Sequence, residues 1–286
     1  MDKLKNNLRL WVQIAWTALS NGYVKGFLTG RIYTGKLKNL CVPGLNCYSC
    51  PGALGSCPIG ALQAVLGSRN YQISFYVIGF LMFAGSLLGK VICGWLCPFG
   101  FVQDLLHKIP FSKKRKNLPG HRGLVWIKYG ILLLFVILLP LFAVDIIGQG
   151  SPWFCKWICP SGTLTGNLLI ATNKPLQSAL GFLYQWKMVL LVFLLILSVH
   201  VYRPFCKYLC PLGAIYGLFA PLSLYRICLD EEKCVACGKC QKVCQMDIRV
   251  WKTPNHSECI RCGDCVKACP LGALKCGFYS NKRGNK

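Results

Sequence analysis

The sequence predicts an all-α domain embedded in a membrane, followed by a small α+β domain rich in cysteine. Three observations predict this division. The 286 residues are 54% hydrophobic and only 15% charged, with a mean hydropathy of +0.44, whereas about 25% of the residues of a typical soluble domain are charged. Long apolar runs lie within the first 203 residues. The chain contains 20 cysteines, and many of them stand in regularly spaced runs near the C-terminal end.

Four segments of the chain are predicted to cross the membrane, at residues 8–28, 71–92, 123–144 and 185–203. The runs ISFYVIGFLMFAGSLLG, YGILLLFVILLPLFAV and MVLLVFLLILSVHVY carry no charge, and with their flanks each approaches the roughly 20 residues that a bilayer requires. The first segment, which contains LWVQIAWTAL, is weaker because Asn21 and Lys25 interrupt it. We therefore expect a polytopic membrane domain over residues 1–225, with the lipid bilayer as its partner.

The basic residues indicate the orientation of this domain. A formal net charge of +24 suits nucleic acid or a membrane surface, but the charges lie mainly beside the apolar runs and in the basic tail at residues 277–286. No nucleic acid is therefore expected as a partner. The loop at 107–122 has six Lys or Arg residues and no acid, which predicts a cytoplasmic position, although the basic residues of the loop at 29–71 argue the other way. No cleavable signal peptide is expected, since no small-residue cleavage site follows the first apolar run.

After Ile227 the sequence changes to two closely spaced cysteine runs. CVACGKCQKVC and CIRCGDCVKACP both follow C-x2-C-x2-C-x3-C, which is typical of bacterial ferredoxins with two [4Fe–4S] clusters, where the fourth cysteine of each run binds the other cluster. Zinc sites use two C-x-x-C pairs instead, and a disulfide scaffold would be short and poor in apolar runs. The predicted ferredoxin-type domain spans residues 226–276, with Gln245 where the usual pattern has proline. Its predicted iron ligands are Cys234, Cys237, Cys240 and Cys269 for cluster one, and Cys259, Cys262, Cys265 and Cys244 for cluster two.

The membrane domain contains an internal repeat built on Cys-Pro-x-Gly. SCPIGAL precedes one apolar run and CGWLCPFG follows it, while ICPSGTL precedes another and CKYLCPLG follows it. Each proline can begin a helix, whose N-terminal dipole would favour a thiolate. Two units related by a twofold axis would bring equivalent cysteines together on the cytoplasmic side. We therefore predict an inner [4Fe–4S] cluster whose ligands are Cys93, Cys97, Cys206 and Cys210.

The other cysteines of the membrane domain are predicted to lie on the outer side. They occur in CVPGLNCYSCPGALGSC and in CKWICP. The symmetric ligand set for an outer cluster is Cys50, Cys57, Cys155 and Cys159, with Cys47 as the substitute. The alternative is that these cysteines pack as small hydrophobic residues. The sequence assigns no role to Cys41, and Cys228 and Cys276 are expected to be unligated.

These cysteine motifs resemble those of a known family, the membrane polyferredoxins of the NapH and NosR type. The paired CGWLCP and CKYLCP are the specific part of the resemblance, and the two ferredoxin runs complete it. The resemblance implies a multi-pass protein of the prokaryotic cytoplasmic membrane with its ferredoxin domain in the cytoplasm. It also implies an electron-transfer component rather than a stand-alone enzyme. Its partners would be a cytoplasmic electron donor or acceptor and an extracytoplasmic redox partner, flavinylated in some members, or the quinone pool.

Two classes of function remain open at this point. The first is electron transfer, either as a conduit through the membrane or as a quinol dehydrogenase subunit of the NapH type. The conduit requires clusters on both faces, whereas the quinol dehydrogenase requires only the inner set and a quinone or flavin as an additional cofactor. The second class is a redox sensor or a maturation factor for a metalloenzyme, which requires only an exposed, labile cluster. We favour the conduit because cysteines are expected on both faces.

Overall fold

The computed structural model describes residues 2–68, 75–110, 114–143, 150–172 and 181–278. Up to residue 219 the described chain consists of helices and their connecting loops. These helices are α1 (Asp2–Ser20), α2 (Val24–Thr29), α3 (Pro58–Leu66), α4 (Phe75–Leu88), α5 (Val91–Trp95), α6 (Pro98–Lys108), α7 (His121–Phe142), α8 (Trp153–Trp157), α9 (Pro160–Thr172), α10 (Phe182–His200), α11 (Pro204–Tyr208) and α12 (Pro211–Phe219). A single 3₁₀ turn, Lys36–Asn39, lies in the loop between α2 and α3.

Among the described residues, two helices are long and apolar enough to cross a bilayer. They are α7, with 22 residues, and α10, with 19 residues, and they coincide with the predicted segments 123–144 and 185–203. The apolar helix α4 begins at the first residue after an undescribed stretch, so residues 71–74 of the second predicted segment lie outside the described part. The first predicted segment, 8–28, is interrupted between α1 and α2. Four crossings therefore stay a prediction.

Four helices begin directly after a cysteine of the repeat. They are α3, α6, α9 and α12, and each has proline as its first residue. Proline suits this position because its missing N–H would have no partner there and its φ angle is already helical. The Sγ atoms of Cys97 and Cys210 accept the N–H of Gly100 and Gly213, each at 3.4 Å. A thiol thus takes the place of the usual capping oxygen, and the helix N-terminus is directed at sulfur.

The C-terminal part combines two short strands with two short helices. Strand β1 (Tyr225–Leu229) pairs antiparallel with β2 (Leu274–Phe278), and helices α13 (Lys239–Val243) and α14 (Asp264–Lys267) lie between them in the sequence. Gly238 and Gly263, the glycines of the two C-G-x-C turns, precede these helices with φ of 72° and 86°, a conformation that favours glycine. Residues 279–286 of the predicted basic tail lie outside the described part.

The C-terminal part packs directly against the helical part. Glu258 is buried and makes ion pairs with Lys90, with 2.8 Å between Nζ and Oε2, and with Lys128. The indole Nε1 of Trp95 donates to the carbonyl oxygen of Arg261 at 3.1 Å, and the Arg261 guanidinium donates to the carbonyl oxygen of Leu88 at 3.0 Å. These contacts hold the segment that carries the second cysteine run beside α5 and its Cys93.

Candidate metal centres

Two small cavities in the C-terminal part are each lined by four cysteines. The cysteines of the first cavity are Cys234, Cys237, Cys240 and Cys269, and those of the second are Cys244, Cys259, Cys262 and Cys265. We call these the first and second ferredoxin sets. In each cavity three cysteines come from one run and the fourth comes from the other run, which is the crossed arrangement that the spacing predicts.

The two ferredoxin sets differ in their exposure to solvent. In the first set Cys237 is exposed, whereas the second set contains the buried Cys259 and Cys265. Desolvation is the largest single influence on the Cys269 thiol and raises its pKa, but the backbone N–H groups of residues 271–274 together outweigh it and lower that pKa. A lowered pKa favours the thiolate, which is the form that binds metal. The first set is therefore the more exposed of the two.

The cysteines of the predicted inner cluster meet in the interior, and we call them the inner set. Cys93, Cys97, Cys206 and Cys210 are all buried. Burial raises the pKa of Cys93 to about 12, and Cys97 and Cys206 add to the shift. Burial also raises the pKa of Cys210 well above its ordinary value, with contributions from each of the other three cysteines. The side chain of Gln103 in α6 bonds to the Sγ of Cys206, and a Cβ added to Gly100 of the same helix would lie 3.1 Å from the carbonyl oxygen of Cys93, so the two halves of the set lie side by side.

The outer set that the structure brings together differs from the predicted one at one position. A cavity of about 660 Å³ is lined by Cys47, Cys57, Cys155 and Cys159, but Cys50 is not part of its lining. A Cβ added to Gly162 would lie 3.3 Å from the Sγ of Cys47 and 3.9 Å from that of Cys159. The geometry therefore favours Cys47, the predicted substitute, and we call these four cysteines the outer set.

A tight turn separates the side chains of the two competing cysteines. The N–H of Cys50 donates to the carbonyl oxygen of Cys47 at 3.1 Å. Cys47 points towards the cavity and Cys159, whereas the thiol of Cys50 donates to the Oδ1 of Asn21, 3.5 Å away at the end of α1. The prediction of Cys50 as the symmetric ligand did not take account of this turn, because spacing alone does not distinguish two cysteines three residues apart.

A short loop segment joins the inner set to the outer set. Gly44 packs on Cys97 so closely that an added Cβ would lie 3.0 Å from the Cα of Cys97. The next residue, Leu45, accepts a hydrogen bond at 3.5 Å from the hydroxyl of Ser161, two residues beyond Cys159. From Gly44 to Cys47 an extended chain spans at most about 11 Å. The two sets therefore lie close together, and their separation is not the thickness of a membrane.

Comparison with known proteins identifies the family of the chain. A profile described as a 4Fe-4S binding domain matches residues 70–119, 129–170 and 185–224, and another with the same description matches 253–275. The ferredoxin-type protein NapH of Haemophilus influenzae is 29% identical over 201 residues, which are 68% of this chain and 61% of NapH. An uncharacterized protein of Methanocaldococcus jannaschii is 32% identical over 203 residues, 69% of this chain and 76% of the relative. The chain belongs to the NapH/NosR-type polyferredoxin family.

Membership confirms the family that the cysteine motifs predict, and the chain is called the polyferredoxin from here on. A second uncharacterized protein of Methanocaldococcus jannaschii is 34% identical over 194 residues, 66% of the polyferredoxin and 64% of that relative. The polyferredoxin thus spans less than two thirds of the length of this relative and of NapH. No solved structure matches the chain significantly.

Cations around the inner set of the polyferredoxin suit an anionic cofactor, and three of the four, Lys90, Lys128 and Arg203, are buried. Arg9 and Arg203 share the carboxylate of Asp104, with 2.5 Å from each guanidinium to Oδ2. Lys90 and Lys128 in turn share the single carboxylate of Glu258. Four cations against two carboxylates leave an excess of two positive charges beside Cys93, whose carbonyl oxygen accepts a hydrogen bond from Arg203. A [4Fe–4S] cluster with four thiolates is negatively charged, and buried charges require such partners.

Across the described ranges, no three His, Cys, Asp or Glu side chains converge on one point as the ligands of a single metal ion do. In a [4Fe–4S] cluster each thiolate binds a different iron, so the four ligands surround a volume rather than a point. The four cysteines outside these sets, Cys41, Cys50, Cys228 and Cys276, line none of the three cavities described above.

Proposed function

We propose that this polyferredoxin passes electrons between a cytoplasmic ferredoxin-type donor and a partner on the outer side of the prokaryotic cytoplasmic membrane. The observation that carries the proposal is the close succession of the cysteine sets: Gly94, next to Cys93, meets Ile260, next to Cys259, and Gly44 packs on Cys97. Iron–sulfur clusters bound by these sets would supply the one-electron chemistry. The chain's own part is to hold these sets at short separations and to bury all four cysteines of the inner set.

The contact between the second ferredoxin set and the inner set supports the first half of this route. Gly94 follows Cys93 and Ile260 follows Cys259, and these two neighbours meet backbone to backbone. The same carbonyl group of Gly94 accepts hydrogen bonds from Arg9 at 3.1 Å and from Gln13 at 3.0 Å. A ligand of each set therefore lies one residue from a rigid, water-excluded contact.

The contact between the inner set and the outer set supports the second half. Besides the packing of Gly44 on Cys97, the buried phenol of Tyr216 donates to the carbonyl oxygen of Pro43 at 3.0 Å. Along α1, Gln13 bonds to Gly94 and Ser20 accepts the N–H of Leu54 at 3.0 Å. Seven residues of helix correspond to about 10 Å, so this is the distance along α1 between its contact near the inner set and its contact with the outer loop.

The large cavity favours a second candidate function, that of a quinol dehydrogenase subunit of the NapH type. Its volume of about 660 Å³ lies within the range of small-molecule sites. Small and apolar residues such as Ala61, Ala64 and Val65 line one side of it, next to Cys57. A quinone or flavin bound there would exchange electrons with the outer set and replace the protein partner on the outer side.

Sealed proteoliposomes with the ferredoxin domain on a known side distinguish these functions. A reductant is placed on that side and a membrane-impermeant dye on the other. Sustained dye reduction that is lost in Cys57→Ala and Cys159→Ala, and kept in Cys228→Ala, is the expected result. Electron flow to the dye that occurs only after quinone is added would support the quinol dehydrogenase instead. Electron flow that survives the loss of both cysteines would also favour the quinol dehydrogenase, which requires only the inner set, and a chain without turnover would be a sensor or maturation factor.

A further inference from the structure

Two buried glutamines stand in equivalent positions beside the two cysteine sets of the membrane part. We propose that Gln63 and Gln103 are positioning residues that tune the redox potentials of the outer and the inner set, each by donating a hydrogen bond to one cysteine sulfur. This inference rests on the proposed function, because it requires a redox-active group at each set.

The first glutamine bonds to the outer set. Gln63 is fully buried, and its Nε2 lies 3.3 Å from the Sγ of Cys155. Its Oε1 accepts the backbone N–H of Phe154 at 3.0 Å, and its Nε2 also donates to the carbonyl oxygen of Ile59 at 3.3 Å. Every polar atom of the amide thus has a partner.

The second glutamine repeats this pattern at the inner set. Gln103 is also fully buried, and its Nε2 lies 3.2 Å from the Sγ of Cys206. Its Oε1 accepts the N–H of Phe205 at 3.2 Å, and its Nε2 donates to the carbonyl oxygen of Phe99 at 3.5 Å. All three contacts match those of Gln63, atom for atom.

The sequence repeats in the same way around both contacts. CPIGALQ at residues 57–63 matches CPFGFVQ at 97–103, and FCKWICP at 154–160 matches FCKYLCP at 205–211. In each half, the glutamine lies six residues after the cysteine of a Cys-Pro pair. It bonds to the first cysteine of the matching Phe-Cys-Lys motif. Two independent copies of one geometry indicate that the contact to sulfur is a property of the site and not an accident of packing.

The orientation of each amide follows from its partners. A backbone N–H can only donate, so the atom that faces Phe154 or Phe205 must be the oxygen, and the NH₂ group must face the sulfur. A thiol or thiolate accepts such a bond. Hydrogen bonds to the cysteine sulfurs favour the more negative, reduced state of a bound cluster and therefore raise its potential. The effect is stronger in a dry interior than in water.

Redox titration followed by electron paramagnetic resonance tests the inference. In Gln63→Met, which keeps the length of the side chain but has no donor, the signal of the outer set should shift to a more negative potential while the other signals stay in place. Gln103→Met should move only the signal of the inner set. Thr163→Val is the matched control, because Thr163 bonds to the carbonyl oxygen of Cys159 at 3.1 Å and to no sulfur. Its potentials should equal those of the unaltered chain.

A second variant keeps the test decisive if the methionine variants do not fold. Gln63→Leu has a similar side-chain volume and no hydrogen-bond donor, so it should shift the same signal in the same direction. Full iron content with unchanged potentials would overturn the inference and leave the proposed function standing. Loss of iron from the set in both variants would assign the glutamine a purely structural role. An unaltered chain with iron in the ferredoxin sets alone would overturn the proposed function, and the inference with it.

Discussion

Gly94 faces the carbonyl oxygen of Ile260 so closely that an added Cβ would lie 2.4 Å from that oxygen. No side chain intervenes, since the contact is between the backbone of α5 and the backbone of the second cysteine run. The φ angle of Gly94 is not among the positive values of the chain, so space rather than conformational freedom requires glycine here. The contact fixes how closely the second ferredoxin set approaches Cys93.

Replacing Gly94 by alanine should therefore loosen the docking of the C-terminal part. The added methyl group forces the carbonyl oxygen of Ile260 away and lengthens the hydrogen bond from Trp95 to Arg261. Amide hydrogen exchange should become faster around residues 258–262, and electron transfer between the second ferredoxin set and the inner set should become slower. The control is Gly123→Ala, since a Cβ at Gly123 has no neighbour within 4 Å. Unchanged exchange protection in Gly94→Ala would contradict the proposed contact.

Glu258 holds the same interface electrostatically. Burial would raise the pKa of Glu258, but the ammonium groups of Lys90 and Lys128 lower it below its ordinary value. A lowered pKa stabilises the folded state at neutral pH, and this stabilisation is lost only as the pH falls through the folded-state pKa. The carboxylate is therefore charged under all ordinary conditions and neutralises one of the two buried cations.

Replacing Glu258 by glutamine should be strongly destabilising. The change leaves two buried ammonium groups without a carboxylate. Removing one partner of a buried ion pair lowers the free energy of unfolding by about 3–5 kcal/mol. Denaturant unfolding of the purified chain measures the effect. Asp230→Asn is the matched control, because its ion pair with Lys233 is exposed and exposed pairs contribute little. Equal free energies of unfolding of the two variants would show that Glu258 does not stabilise this interface.

The ferredoxin sets are the part of the site that the sequence predicts best. Their spacing is local, so three ligands of each set are fixed by one short turn and the fourth follows from the repeated pattern. The inner set also follows from the sequence, because the Cys-Pro repeat carries its own symmetry. The start of a helix at each repeat proline is equally a local property, set by the missing N–H and the fixed φ angle of proline.

The contacts between the sets could not be predicted in this way. Gln63 and Gln103 are single polar residues in apolar helices, and only the three-dimensional structure shows which sulfur each one reaches. The position of Gly44 against Cys97 depends on how a long loop folds back between helices. The choice between Cys47 and Cys50 depends on the direction of one turn. Each depends on a contact between residues that are far apart in the sequence, and periodicity and spacing do not indicate such contacts.

The crossed pairing of the ferredoxin cysteines makes a separate prediction. Cys269 belongs to the second run but lines the first cavity, and Cys244 belongs to the first run but lines the second. Cys269→Ser should therefore alter the signal of the first set, and Cys244→Ser that of the second set, in electron paramagnetic resonance spectra. Cys228→Ser, a change on the exposed edge of β1, should alter neither. If Cys269→Ser altered the signal of the second set instead, and Cys244→Ser that of the first, each run would supply all the ligands of one cluster.

The last prediction separates the two cysteines of the outer loop. Cys47 lies beside Cys159 at the large cavity, whereas Cys50 bonds to Asn21 at the end of α1. Cys47→Ala should remove about four irons per chain, because a [4Fe–4S] cluster is held by four cysteines. Cys50→Ala, a matched change three residues away in the same turn, should keep them. Iron and sulfide analysis of both purified variants measures the difference, with Cys159→Ala as the positive control. Iron loss in Cys50→Ala but not in Cys47→Ala would restore the set that the repeat symmetry predicts, and equal retention in both would show that the outer loop binds no cluster.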